Sequence, residues 1–165
     1  MPTRYKGSQA EVRALNCYIK LTRASETLAA KLRVPLAREG LTTGQLGVLE
    51  ALLHLGPMNE RELCRKLLRS GGNITVVVDN LERRGLVQRA RNLKDRRSVT
   101  VALTPEGLRF IRGVFPSHAA RISVALSVLN PEEQRELGRL CRKLGRSKAE
   151  QGSAPGEPVS TLKNP

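Results

Sequence analysis

Between residues 59 and 84 the chain is patterned as two short amphipathic helices split by Ser70-Gly71-Gly72, and this constrains the fold more than any other stretch. The first helix opens at Asn59, whose side chain can cap it, and Glu62 follows three residues on as in a capping box. Leu63 and Leu67 lie one turn apart and face inward. A break as short as Ser70-Gly71-Gly72 is what a helix-turn-helix needs. The second helix ends at Gly85, after which residues 86–91 and 98–103 alternate like two strands. The polar stretch Asn92-Leu93-Lys94-Asp95-Arg96-Arg97 between them makes a β-hairpin with a basic tip. The order helix, turn, helix, basic hairpin predicts a winged helix-turn-helix over residues 58–103.

Placed on a helix at about 100° per residue, residues 72–84 separate into two faces. Ile74, Val77, Val78 and Leu81 cluster on one side and can anchor the helix to the domain. Gly72, Asn73, Val76, Asp79, Asn80 and Arg83 occupy the other, with Thr75 at its edge. That second face is small and polar at its N-terminal end, so it can approach base edges closely, which is where helices of this kind contact bases. Ser70, Gly71, Asn73, Thr75, Val76 and Asn80 are the candidate reading residues: the polar ones by hydrogen bonds to bases or phosphates, Val76 by contact with a thymine methyl. At the hairpin, Arg96 and Arg97 suit the negative potential of a narrow minor groove, and Asp95 can hold one guanidinium in place. Arg89, Arg91 and Lys94 are candidates for flanking phosphates. A solvated polar face would account for Asn73, Thr75 and Asn80 taken alone, and charged hairpin tips are common. It is the order of the elements that favours duplex DNA.

Charge supports the same partner. The chain carries 29 Lys and Arg against 15 Asp and Glu, a net charge of +14, and residues 58–103 hold eleven of the basic residues against five acidic ones. Such an excess favours a polyanion. Aromatic residues make up 2% of the chain and Trp is absent, so the core must be built from Leu, Val, Ile and Ala. No apolar run approaches the ~18 residues of a membrane span, and the N-terminus lacks the apolar stretch of a signal peptide. The chain is therefore expected to be soluble and cytoplasmic, with no membrane contact. Cys17, Cys64 and Cys141 are widely spaced and odd in number, so neither a disulfide framework nor a metal site is expected. With no phosphate-binding Gly loop and no nucleophile–base motif, neither an enzyme nor a cofactor is expected.

Around this centre lie long helices. Residues 1–9 read as a flexible arm. Residues 10–34 read as a helix with Val12, Leu15, Ile19, Thr22, Leu28 and Leu32 near one face, broken by Pro35 and Gly40. Thr42 or Thr43 caps a helix that Gly56-Pro57 closes. Thr104-Pro105 starts a helix to about Val128, and Asn130-Pro131-Glu132-Glu133 starts the last one, with Leu137, Leu140 and Leu144 on one face. The tail from residue 147 is expected to be disordered. The fold class expected is mainly α with a small β-hairpin wing: a winged helix-turn-helix at 41–104 between long helices at 10–40 and 105–146, to which the resemblance given next assigns dimerisation.

The stretches LTTGQLGVLEALLHLGPMNERELCRKL at 41–67, GGNITVVVDNLERRGLVQR at 71–89 and KDRRSVTVALTPEG at 94–107 resemble the MarR family of bacterial transcription regulators. The resemblance covers about residues 10–146 and is most specific over 71–107. It implies a homodimer whose terminal helices intertwine, a palindromic operator with half-sites about one helical turn apart, and a wing pair at Asp95 and Arg97. It implies repression relieved by a small-molecule effector, commonly aromatic, or by an oxidant acting on a cysteine. Cys17, beside Tyr18 in the first helix, is the candidate redox sensor. Against it stands a mid-helix position with only Arg13 and Lys20 as cationic neighbours, which suits a half-buried structural thiol. His54 and His118 are expected to be structural or surface residues.

Overall fold

The computed structural model describes residues 3–67, 70–91 and 99–146, except the side chains of residues 91 and 146. Among the described residues, six helices and three strands follow in the order α1 (Gln9–Arg38), α2 (Thr43–Leu55), β1 (Met58–Asn59), α3 (Glu60–Leu67), α4 (Gly71–Arg83), β2 (Val87–Arg91), β3 (Val99–Leu103), α5 (Pro105–Leu126) and α6 (Pro131–Arg146). The chain divides into two compact units, residues 1–125 and 126–165. No described helix is long and apolar enough to cross a membrane.

The first unit is organised around one aliphatic core. Leu49 and Val48 of α2, Leu63 of α3, Ile74, Val78 and Leu81 of α4, Val101 of β3 and Ile111 of α5 are all 0% exposed. Leu36 from the end of α1, Leu41, Leu86 and Val87 close it. Leu- and Val-rich packing without Trp is what the composition demands. The predicted face of α1 is also present, with Val12, Leu15, Ile19, Thr22, Leu28 and Leu32 all half-buried.

One proline-based expectation needs correction. α1 does not break at Pro35 but continues to Arg38. α5, expected to be continuous, runs through Pro116. A proline removes one hydrogen bond of the helical ladder and crowds the preceding turn. In α1 the turn that follows is held from outside the ladder: Leu36 is buried in the core, and its carbonyl accepts the Leu41 N–H at 3.2 Å while Gly40 N–H reaches Ala37 O at 3.0 Å. This pair of bonds closes a helix in the manner of a Schellman motif.

The hairpin acquires a third strand. β1 pairs with β3, Met58 opposite Val101 and Asn59 opposite Thr100, giving the antiparallel order β1-β3-β2. β2 and β3 pair from Val87–Leu103 to Arg91–Val99. Asn59 also caps α3 reciprocally with Glu62, at 2.9 Å in both directions, so one residue ends a strand and starts a helix.

The junction of α4, β2 and α5 is tight. Gly85 adopts φ +67°, which permits Leu86 N–H to reach back to Leu81 O at 3.0 Å and turns the chain from α4 into β2. Thr104 Oγ1 donates to Gly85 O at 2.6 Å and accepts from Gly107 N–H at 2.9 Å. A Cβ on Gly107 would lie 1.8 Å from the Leu86 carbonyl oxygen, so only glycine permits α5 to start against this turn.

In the second unit, α6 begins at the predicted cap. Asn130 N–H donates to Glu133 Oε2 at 2.8 Å and Glu133 N–H donates to Asn130 Oδ1 at 2.9 Å.

Candidate nucleic-acid interface

α4 sits on the domain by its apolar side and presents the other to solvent. Ile74, Val78 and Leu81 are buried and Val77 packs against the core. Gly71, Gly72, Asn73, Thr75 and Val76 are exposed, Val76 by 58% despite its apolar side chain. The predicted split of the helix into two faces is therefore present.

The boundaries of α4 differ from the sequence reading in one respect. Gly71 and Gly72 are not the break between helices but its first two helical residues, and Ser70 is the N-cap. Ser70 has the extended backbone of a cap (φ −70°, ψ 152°), and its carbonyl accepts the Ile74 N–H at 3.2 Å. Its hydroxyl, however, makes no capping bond. Among the described helices this is unusual. Ser8 with Glu11, Thr42 with Gln45, Asn59 with Glu62, Thr104 with Gly107 and Asn130 with Glu133 all close their helix starts. Among the described residues, nothing lies within 4 Å of where a Cβ would stand on Gly71 or Gly72. The first turn of α4 thus has a partial positive charge, no side-chain cap and, among the described residues, nothing close to its two glycines, which is the arrangement that admits an anion.

Thr75 and Asn80 are not idle. Thr75 Oγ1 donates to Glu60 Oε2 at 2.6 Å and lies 3.2 Å from Gly71 O. Asn80, half-buried, donates to Val76 O at 2.8 Å, and its amide oxygen accepts from Arg83.

Arg89 is placed differently from a phosphate-seeking side chain. Its guanidinium reaches Glu60 of α3 at 2.8 Å, Asp79 of α4 at 2.6 Å and Glu82 of α4 at 2.5 Å, and its backbone N–H donates to Glu82 Oε1 at 3.0 Å. Burial pushes the guanidinium pKa down, but hydrogen bonds to Glu60, Asp79 and Glu82 outweigh it and hold the group above its ordinary range. One cation of β2 therefore ties α3 to α4. The sequence did not expose Glu60 and Glu82 as its partners, because residues 60 and 89 meet only through the sheet and no spacing rule joins them. Arg91 ends β2 opposite Val99. Lys94, Asp95, Arg96 and Arg97 lie outside the described residues, as does the rest of the hairpin tip.

The remaining candidates are dispersed. Cys17 is exposed on α1, Cys141 is exposed on α6, and Cys64 packs against the core. His54 meets the Phe115 ring edge-on at 5.0 Å between centroids. His118 is buried, and its Nδ1 has no hydrogen-bond partner among the described residues. Both tyrosines of the chain, Tyr5 and Tyr18, line an open apolar depression of about 600 Å³ on α1 with Ala14 and Leu15. Thr3 N–H donates to Asn16 Oδ1 at 2.8 Å, which ties the N-terminal arm back to α1.

Residues 41–99 match the model of the MarR family. An uncharacterized helix-turn-helix transcriptional regulator of Bacillus subtilis, YkoM, is 36% identical over 133 residues, covering 81% of this chain and 86% of the relative. The chain belongs to the MarR family. MhqR, another regulator of this kind from Bacillus subtilis, is 32% identical over 81% of this chain and 92% of its own length. Among solved structures, Bordetella bronchiseptica BpsR, whose DNA binding is regulated by 6-hydroxynicotinic acid, is 27% identical. It superposes with a TM-score of 0.71 over 78% of this chain and 98% of its own. The winged helix of this MarR protein is thus the family's fold, and the protein is a helix-turn-helix transcriptional regulator.

Proposed function

We propose that this MarR protein is a homodimeric repressor that binds a palindromic operator, with α4 in the major groove and the wing in the flanking minor groove. The observation that carries the reading is the open first turn of α4: a helix start without a side-chain cap, bearing two glycines and a row of exposed small residues. A phosphate docks at that turn beside Ser70, and Asn73, Thr75 and Val76 face base edges. Asn80 supports the helix from within its own backbone and contributes less to reading. Arg89 positions α4 rather than binding phosphate, because three carboxylates already claim it. Arg91 and Lys94 take flanking phosphates, and Arg97, oriented by Asp95 with Arg96 beside it, enters the minor groove. α1, α5 and α6 form the dimer, and Leu137 and Leu140 of α6 meet a second copy of the chain. Release comes from a small molecule or from an oxidant reaching the exposed Cys17. The related BpsR, whose DNA binding responds to an aromatic acid, supports the first of these.

The test is an anisotropy titration of the full chain with a duplex from upstream of its own gene and with scrambled duplex. The operator should be preferred by about a thousandfold or more, with affinity falling steeply as salt rises. Arg97→Ala should weaken operator binding by about ten- to a hundredfold with an unchanged circular dichroism spectrum. No preference for the operator over scrambled duplex would support an architectural nucleic-acid-binding protein instead.

A further inference from the structure

Thr75 stands on the exposed side of α4, yet the surroundings of its hydroxyl are fixed by the protein. The oxygen lies 2.6 Å from Glu60 Oε2 and 3.2 Å from the Gly71 carbonyl oxygen. Both neighbours are acceptors, and a hydroxyl has one hydrogen to give. The carboxylate takes it in a short, charge-assisted bond. Glu60 is in turn unable to turn away. Its other oxygen, Oε1, accepts from Arg89 Nε at 3.0 Å and from a terminal guanidinium nitrogen at 2.8 Å. Arg89 is itself anchored by Asp79 and Glu82 and by its place in β2. A relay therefore runs from Arg89 through Glu60 to Thr75, and its last member directs its hydrogen inward and its lone pairs outward.

We propose that Glu60, held by Arg89, fixes Thr75 as a hydrogen-bond acceptor and so makes α4 select, at the base facing Thr75, one that offers an amino group in the major groove: adenine through N6 or cytosine through N4. Guanine presents O6 and N7 there and thymine presents O4, all acceptors, which would face a lone pair on Thr75. A free threonine reads either kind of edge; this one does not. Glu60 and Arg89 act as positioning residues without touching the base. The inference rests on α4 being the reading helix.

The experiment selects bound duplexes from a pool randomised across the operator and sequences them, using the full-length protein and four variants. The wild type should favour adenine or cytosine over guanine or thymine about tenfold at one position per half-site. Thr75→Val keeps the shape and removes the oxygen, and should erase that preference while sparing the other positions. Thr75→Ser keeps the hydroxyl and should keep the preference. Glu60→Gln is the sharper variant. Its carbonyl must face the Arg89 donors, so its amide NH2 faces Thr75. The hydroxyl then accepts from the amide, and its hydrogen, no longer held by the carboxylate, divides between the Gly71 carbonyl at 3.2 Å and an acceptor on the base. Guanine and thymine should rise to within about threefold of adenine and cytosine at that position alone. An unchanged profile for Glu60→Gln, or loss of the preference in Thr75→Ser, overturns the polarity lock. Should Glu60→Gln fail to fold, retention of the preference by Thr75→Val overturns it equally. Asn73→Ala separates the two levels. If it weakens binding while Glu60→Gln leaves the profile intact, the lock alone fails. If neither Asn73→Ala nor Thr75→Val alters binding or profile, the reading of α4 fails and takes the lock with it.

Discussion

α4 and α6 are both amphipathic helices of similar length, yet their apolar sides meet different fates. In α4, Ile74, Val78 and Leu81 are fully buried within the chain, and the exposed face is small and polar apart from Val76. In α6 none of the described side chains is buried, and Leu137 and Leu140 are 41% and 47% exposed. Their starts differ as well: α6 is closed by Asn130 and Glu133, while α4 begins with a serine whose hydroxyl does not cap. Amphipathicity shows that something must cover a face; it does not show what. α4 spends its apolar face on its own domain, which leaves the other face and the open end for a polar partner. α6 leaves its apolar face exposed, which is the face proposed above to meet a second copy.

The widest gap between the two should appear on truncation. Leu81→Ala in α4 should lower unfolding stability by about 2–5 kcal/mol, because a fully buried side chain leaves a cavity. The measurement is chemical denaturation. A loss below 1 kcal/mol would mean that α4 is not built into the core.

In α6 the corresponding change should act on association. Leu140→Glu should raise the dimer dissociation constant by at least about tenfold, as expected for an apolar contact replaced by a charge. Sedimentation velocity across a dilution series reads this directly, and a dimer that persists undiminished would remove α6 from the interface.

The helix starts provide a smaller contrast with opposite signatures. Asn130→Ala should cost about 1 kcal/mol of stability, since it removes a working cap. Ser70→Ala should cost almost nothing in a thermal melt and weaken operator affinity instead. A melt that falls equally in both variants would erase the distinction.

Acid should separate the first unit, through His118 of α5, from α6 most gently. Burial pushes the His118 imidazole pKa below its ordinary 6.5; Glu50 opposes this and Arg121 reinforces it. A histidine held neutral in the fold but charged when unfolded costs nothing above pH 6.5, and stability declines as pH falls below that value towards the folded pKa. In α6, the Arg139 side chain lowers the Glu136 pKa from 4.5, so that exposed pair weakens only below about pH 4.5. Stability measured at pH 7.5 and 5.5 should therefore fall for the wild type and fall less for His118→Gln. Equal declines would show that His118 titrates alike in both states.

Much of the fold was legible along the chain because its signals are local. The caps at Thr42, Asn59, Thr104 and Asn130 each lie within three residues of the group they satisfy. The two faces of α4 follow from 3.6-residue periodicity, and the hairpin from alternation about a polar turn. β1 escaped notice because two residues are too few to alternate, and Pro35 misled because a local rule was overridden by burial of Leu36. Gly107 carried no sequence signal at all; its need for no side chain comes from a carbonyl 21 residues away in sequence.

The sequence by itself determined the family, through stretches that resemble MarR regulators, and also the helix-turn-helix and which face of α4 stays exposed, since periodicity, caps and charge depend on neighbours a few residues apart. Tertiary structure alone decided what Arg89 and Thr75 do. Read singly, Arg89 is a phosphate contact and Thr75 a hydroxyl of either polarity. Packing brings Glu60, Asp79 and Glu82 around that one guanidinium, and Glu60 then takes the hydrogen of Thr75. Hydrogen-bond polarity depends on which groups lie within about 3 Å in space, and distance along the chain does not encode it.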